Sequence, residues 1–195
     1  MMKHIFAFDF DGTLTTRDTL IDFIRFTCGT GRFLLGFLLY SPLLVLMKLH
    51  LYPNYKAKQK VFAHFFRGVL LDEFDRLCRR YAHERRQVLR PSMLNILRRA
   101  LQDGADVYVV SASVDNWVAP FLAEEGLDVT VLGTQIEVKD GLLTGFFSSK
   151  NCYGAEKVER LKAVLPARNS FHLTAYGDSR GDREMLAWAD EGHLV

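Results

Sequence analysis

Two carboxylates stand two residues apart where an apolar run ends. His4-Ile5-Phe6-Ala7-Phe8 leads straight into Asp9-Phe10-Asp11-Gly12-Thr13. Side chains two apart on a strand point to the same face. Paired carboxylates repel unless a cation or a shared proton relieves them. Asp178 and Asp182 bring further negative charge at the end of another apolar run, Phe171 to Tyr176. An all-oxygen donor set of this kind suits magnesium, a hard cation. With a cation in place, one carboxylate can attack phosphorus in line and become an acyl phosphate. The second can give a proton to the leaving alcohol and later take one from water. Ser111 and Lys157 are of the right types to hold the oxygens on which charge develops.

Each group also has an ordinary reading. Asp-x-Asp-Gly alone is usually a turn or a calcium-like loop. Ser111 alone would cap a helix, and Lys157 alone would be a solvated helix lysine. What favours chemistry is that the polar clusters fall at the ends of separate apolar runs.

Those runs define the elements that must position the groups. Residues 4–10 read as a buried strand, stopped by the turn that Gly12 permits. From Asp18 to about Arg90 the pattern is helical. Pro91 starts a new helix and Gly104 ends it. Val107 to Val110 is a strand with Ser111-Ala112-Ser113 at its end, followed by a helix from about Asp115 to Glu125. Val129 to Leu132 is a strand. Thr134 to Val138 and Leu142 to Phe146 form a hairpin about Lys139-Asp140-Gly141. Gly154 to Val164 is helical, Phe171 to Tyr176 is a strand, and a last helix begins near Asp182. The chain left after it leaves room for a short final strand at most. Outside residues 18–90, strands and helices alternate. The expectation is an α/β core, a Rossmann-like parallel sheet with helices on both faces, formed by residues 1–16 and 91–195. Residues 17–90 are expected to form an inserted helical cap. In such sheets ligands bind at the carboxyl ends of the strands, where the polar clusters lie.

The 195 residues suit one core domain with a modest insertion. Net charge is +2, which says little about partners. Cys28, Cys78 and Cys152 form no CxxC or zinc pattern, so free thiols and a reducing cytoplasm are expected. The N-terminus shows no export signal, so the chain is expected to stay inside the cell. The arginines from Arg76 to Arg99 read as a solvated helix face pairing with Asp72, Glu73, Asp75 and Glu84, and no nucleic-acid partner is expected.

The motifs resemble those of the haloacid dehalogenase-like hydrolases, in order and along essentially the whole chain. Asp9-Phe10-Asp11-Gly12-Thr13-Leu14-Thr15 resembles the first motif and Val109-Val110-Ser111-Ala112-Ser113 the second. Lys157 resembles the third, with Lys150 as a rival, and Gly177-Asp178-Ser179-Arg180-Gly181-Asp182 the fourth. The resemblance implies a magnesium-dependent phosphomonoester hydrolase with Asp9 as nucleophile and Asp11 as acid and base. It implies magnesium on Asp9, the Asp11 carbonyl and Asp178, with Asp182 in support. Ser111, Ala112 and Ser113 would face the phosphate.

The position of the insertion resembles the phosphoserine phosphatase-like branch. That implies Asp18, one methylene shorter than the usual glutamate, as a contact for a substrate amino group; capping of the next helix is its plain alternative. Arg67 is a candidate anion contact, or a surface arginine.

Residues 33–47 carry no charge, and Pro42 interrupts them. Three readings stand: buried cap helix, a membrane-surface segment, or a dimer contact. The stretch resembles the cap of phosphatidylglycerophosphate phosphatases, which implies lipid phosphates as an alternative to a small phosphoserine-like metabolite. The expected location is cytoplasmic, peripheral to the inner membrane face if residues 33–47 meet lipid. A phosphotransferase, and a non-enzymatic module binding a phospho-ligand, are the remaining alternatives.

Overall fold

The computed structural model describes residues 2–49 and 51–195. Its centre is a parallel sheet in the order β3-β2-β1-β6-β7. These strands are β1 (Lys3–Phe8), β2 (Asp106–Val114), β3 (Thr130–Thr134), β6 (Phe171–Gly177) and β7 (Glu191–Leu194). Strand β1 lies between β2 and β6, with Phe8 level with Val109 on one side and Tyr176 on the other. The three chain segments expected to carry chemistry therefore leave the sheet side by side, at the same edge. Strand β7 is short but real, pairing Thr174 to Glu191 through Gly177 to Leu194.

Helices α4 (Pro91–Gln102), α5 (Asp115–Glu124), α6 (Ala155–Val164) and α7 (Arg183–Trp188) accompany the sheet. Helix α4 begins as its sequence dictates, with proline in its first turn, where no N–H bond is lost. Gly104 takes a φ of +78° just beyond its end. Apolar side chains fill the two sides of the sheet. One cluster includes Phe8, Phe10, Leu97 and Trp117; the other includes Ile5, Leu161, Leu173 and Met185.

Between the first two strands lie α1 (Thr19–Lys48), α2 (Asn54–Phe66) and α3 (Leu71–Glu84). The two crossings into this region are fastened together. Thr16 N–H donates to the Val88 carbonyl at 2.8 Å, and Arg90 N–H to the Leu14 carbonyl at 2.7 Å. An aromatic knot of Phe23, Phe62, Phe66, Phe74 and Tyr81 locks the helices together, and Trp117 of α5 stacks on Phe23. The hairpin β4 (Ile136–Lys139) and β5 (Leu142–Phe147) joins the helices too. Gly68 N–H donates to the Leu143 carbonyl at 2.8 Å and Leu71 N–H to the Gly141 carbonyl at 2.9 Å.

Helix α1 departs from the sequence expectation in two ways. Pro42 does not interrupt it. The proline lacks the N–H that would have bonded Leu38, and the Ser41 hydroxyl takes that carbonyl instead, at 2.8 Å. The real break is earlier, at Gly29, whose φ of +75° lies outside the helical region. Nor is residues 33–47 a buried helix: Leu34, Leu35, Leu38 and Leu39 stand well exposed.

Candidate active site

Asp9 is the first residue past β1. Its N–H continues the sheet by donating to the Tyr176 carbonyl at 2.9 Å, which fixes its side chain at the strand's tip. Residues 10–14 then turn sharply, closed by Thr15 N–H on the Phe10 carbonyl at 2.9 Å. Gly12 makes the turn possible at φ +84°. A Cβ there would come within 2.1 Å of Asp178 Oδ2, so glycine is also needed for space. Arg90 braces this loop from α4, donating to the Gly12 carbonyl at 2.7 Å and the Thr13 carbonyl at 3.1 Å.

Lys157 is 1 % exposed, and its ammonium spends all three donors. They go to Asp9 Oδ1 at 2.5 Å, Asp182 Oδ1 at 2.6 Å and the Val110 carbonyl at 2.7 Å. Burial opposes the charge on Lys157, but Asp9 and Asp182 outweigh it and hold the ammonium above its usual range. Burial likewise pushes Asp9 up, to about 7, with Lys157 working against the rise. The rival Lys150 is exposed and reaches only Glu156, at 4.0 Å.

Asp11 faces elsewhere. Its Oδ1 accepts from Thr19 N–H at 2.7 Å and from the Thr19 hydroxyl at 2.5 Å. Its Oδ2 accepts from the Ser113 hydroxyl. Trp117 Nε1 donates to Thr19 Oγ1 at 3.1 Å and steadies the arrangement. Burial, then the charge of Asp18, raises the Asp11 carboxyl above its usual range, while the bonds from Ser113 and Thr19 pull it back.

Asp9, Asp178 and Asp182 each offer an oxygen within 4.8 Å of the others. Asp178 Oδ1 is buried without a hydrogen-bond partner. An orphaned buried carboxylate oxygen beside two more carboxylates, in the space that Gly12 leaves open, fits a hard divalent cation. Asp182 is largely committed already: Lys157 takes Oδ1, while Ser179 N–H and hydroxyl reach Oδ2 at 3.0 and 2.9 Å. Its part is to fix Lys157 and the loop that carries Asp178. The Asp11 carboxylate lies outside this group, engaged by Thr19 and Ser113.

A cavity of about 630 Å³ opens over these groups. Its floor includes Asp9, Asp11, Ala112, Lys157 and Asp178, and its far wall includes Leu20, Phe37, Leu44, Met47 and Lys58. Several expectations are corrected here. Ser111 is fully buried and absent from the cavity wall; its hydroxyl oxygen accepts Ser113 N–H at 3.0 Å. Ser113 serves Asp11 rather than a ligand, so of that trio only Ala112 meets the cavity. Arg67 is exposed at the end of α2, beside Gly145 of the hairpin, and also lies off the cavity. Asp18 lines the cavity, yet it caps α1 by accepting from Leu20 N–H at 3.0 Å and Ile21 N–H at 3.3 Å. Thr19, Lys58, Arg90 and Trp117 were missed. Nothing in their local sequence marks them, because their partners lie 8 to 98 residues away.

Residues 6–187 match the family model described as haloacid dehalogenase-like hydrolase. Protein CicA of Caulobacter vibrioides is 36 % identical over 190 residues, covering 95 % of this chain and 82 % of that one. A protein of unknown function from Bordetella pertussis Tohama I shares the fold at a TM-score of 0.83 and 20 % identity, covering 96 % and 87 % of the two chains. A structure titled as a phospho-aspartyl intermediate analogue of phosphoserine phosphatase aligns at a TM-score of 0.61 and 20 % identity, covering 97 % and 84 %.

Proposed function

The chain belongs to the haloacid dehalogenase-like hydrolase family, and from that premise we propose that it hydrolyses phosphate monoesters through a phosphoryl group carried on Asp9. The observation that carries this reading is the division of labour between two carboxylates two residues apart. Asp9 lies against a buried ammonium, while Asp11 is held by hydroxyl and amide donors with its carboxyl raised.

The chain's own groups account for each step. Asp9 attacks phosphorus, and the bond from phosphorus to the ester oxygen breaks as the Asp9 bond forms. Asp11, protonated, gives its proton to the departing alkoxide oxygen. Asp11 then accepts a proton from water as that water attacks the same phosphorus and frees Asp9 and inorganic phosphate. Lys157 favours the ionised form of Asp9 against burial and engages Oδ1, leaving Oδ2 as the attacking atom. Asp9 and Asp178 would hold magnesium, which when bound supplies positive charge between the carboxylates and the phosphate oxygens. The helices over the cavity limit water during the first transfer. The relative solved as a phospho-aspartyl analogue supports the same course.

A second reading concerns the substrate. Phe37, Leu44 and Met47 give the cavity an apolar wall, which a zwitterion the size of phosphoserine would leave unfilled. A phosphate ester with an apolar body, a lipid phosphate, suits that wall better.

The test is turnover of an aryl phosphate. The wild-type chain with magnesium should release phosphate, chelator should stop it, and Asp9→Asn should be inactive while retaining its circular dichroism spectrum. Wild-type rates in Asp9→Asn overturn the mechanism. A side-by-side screen of phosphorylated metabolites and detergent-dispersed lipid phosphates decides the substrate reading.

A further inference from the structure

Residues 33–47 of helix α1 carry no charge, and only one side of this stretch packs against the protein. Its inner residues are accounted for: Phe37, Leu44 and Met47 line the cavity, Tyr40 packs on His64 of α2 at 5.2 Å, and Gly36 takes the tip of Phe65. Among the described residues, none buries its outer side chains. Leu34, Leu35, Leu38, Leu39, Val45 and Leu46 are 42 to 72 % exposed. At 3.6 residues per turn these six fall within an arc of about 140°, with Pro42 inside it. With Leu49, also exposed, the stripe runs about 22 Å along the helix. Isolated exposed leucines need no explanation, whereas a continuous stripe of this size marks a surface that another phase or molecule covers.

The charge around the stripe identifies that surface. Residues 23–71 contain seven lysines and arginines and no aspartate or glutamate. The whole chain is +2, so the rest of it carries −5. Arg32 precedes the stripe, and Lys56 and Lys60 follow it, all exposed. Lys56 lies over the Tyr55 ring at 5.9 Å and Lys60 over Tyr52 at 5.5 Å. Apolar residues bordered by lysine, arginine and tyrosine match the layering of a bilayer surface, acyl chains below and anionic headgroups above. A second copy of this chain would bring Arg32, Lys56 and Lys60 against their own counterparts, so like charge opposes self-association. Helix α1 is long and apolar enough to cross a membrane. Its inner face is occupied by α2 and the cavity, however, so only the outer face is free, and the helix must lie along the surface rather than through it.

We propose that the outer face of α1 docks this protein on the surface of an anionic lipid bilayer. This rests on the phosphatase reading only for its consequence, that the cavity behind the same helix takes its substrate at the lipid–water boundary. The docking itself needs no turnover.

Co-sedimentation with vesicles separates the two ideas. We expect the wild-type chain to pellet with vesicles of phosphatidylcholine mixed with phosphatidylglycerol, far less with phosphatidylcholine alone, and less as salt rises. Leu38→Glu, on the outer face and away from the cavity, should weaken binding at least about tenfold while aryl phosphate turnover persists. Asp9→Asn should pellet like the wild type. Binding without any turnover would sink the phosphatase reading and leave the docking intact. Failure of the wild-type chain to pellet with either vesicle overturns the docking, as does equal pelleting of Leu38→Glu. A lipid-free dimer that Leu38→Glu dissolves, seen by sedimentation velocity with no vesicle binding, overturns it in favour of a second copy.

Discussion

Thr19 holds Asp11 twice through one oxygen: its backbone N–H and its hydroxyl both donate to Asp11 Oδ1, at 2.7 and 2.5 Å. Thr19 opens α1, the helix that also walls the cavity, so the carboxylate proposed to transfer the proton is tied to the start of that helix. Trp117 of α5 grips the same hydroxyl at 3.1 Å, so the tie runs on into the core.

These donors favour the charged form of Asp11, against the burial that raises its carboxyl. In the proposed first step Asp11 must carry a proton. Removing one donor by Ser113→Ala should raise Asp11 further, so the alkaline fall of kcat/KM should move to higher pH. A pH–rate profile on an aryl phosphate checks this. An alkaline limb in the wild-type position would show that Asp11 is not the group being titrated.

Asp9 governs a second pH dependence, that of stability without metal. Burial raises its folded-state value to about 7, against about 3.9 in an unfolded chain. The folded state therefore holds the proton more tightly. Its stabilising contribution is complete below about pH 4 and lost as pH rises through about 7. In chelator, the melting temperature of the wild-type chain should fall between pH 5 and 8 more steeply than that of Asp9→Asn. Magnesium should restore more stability at the alkaline end, where the carboxylates it would neutralise are charged. Parallel slopes for the two proteins would remove Asp9 as the source.

Lys157 is buried between two carboxylates, so its loss leaves their charges uncompensated. Lys157→Met should cost about 3–5 kcal/mol in denaturant unfolding and at least about a hundredfold in kcat. A fully stable variant would mean that the ammonium does not balance Asp9 and Asp182.

Gly12 is required twice over, by its φ of +84° and by the 2.1 Å approach a Cβ would make to Asp178. Gly12→Ala should displace Asp178 and the loop after Asp9, lowering kcat about a hundredfold or more. It should also abolish the rise in melting temperature with magnesium. An undiminished magnesium response would place the cation elsewhere.

The sheet and the floor of the candidate site were legible in the residues because both are local. The apolar runs before Asp9 and Asp178 end where β1 and β6 end, at Phe8 and Gly177, whereas the run before Ser111 continues as strand. Strand β2 runs on to Val114, which places Ser111 inside the sheet rather than at the open tip the residues suggested. Of the two readings of Arg67 the structure favours the surface arginine, and the choice depends on a hairpin more than 70 residues later that no local pattern reports. Thr19 was hidden for the same reason: a threonine at a helix start looks like any other until Asp11 lies beside it. The exposure of α1 was equally out of reach, since an uncharged run reads the same whether it is covered or bare.

Trapping the phosphoryl group on Asp9 tests directly whether phosphate passes through that side chain. The wild-type chain is mixed with radiolabelled aryl phosphate and magnesium, quenched in acid within a single turnover, digested and mapped. The account requires a label on the peptide containing Asp9, lost when the peptide is treated with hydroxylamine, as an acyl phosphate would be. Turnover with no labelled peptide at the earliest times, or a label on another residue, would contradict it.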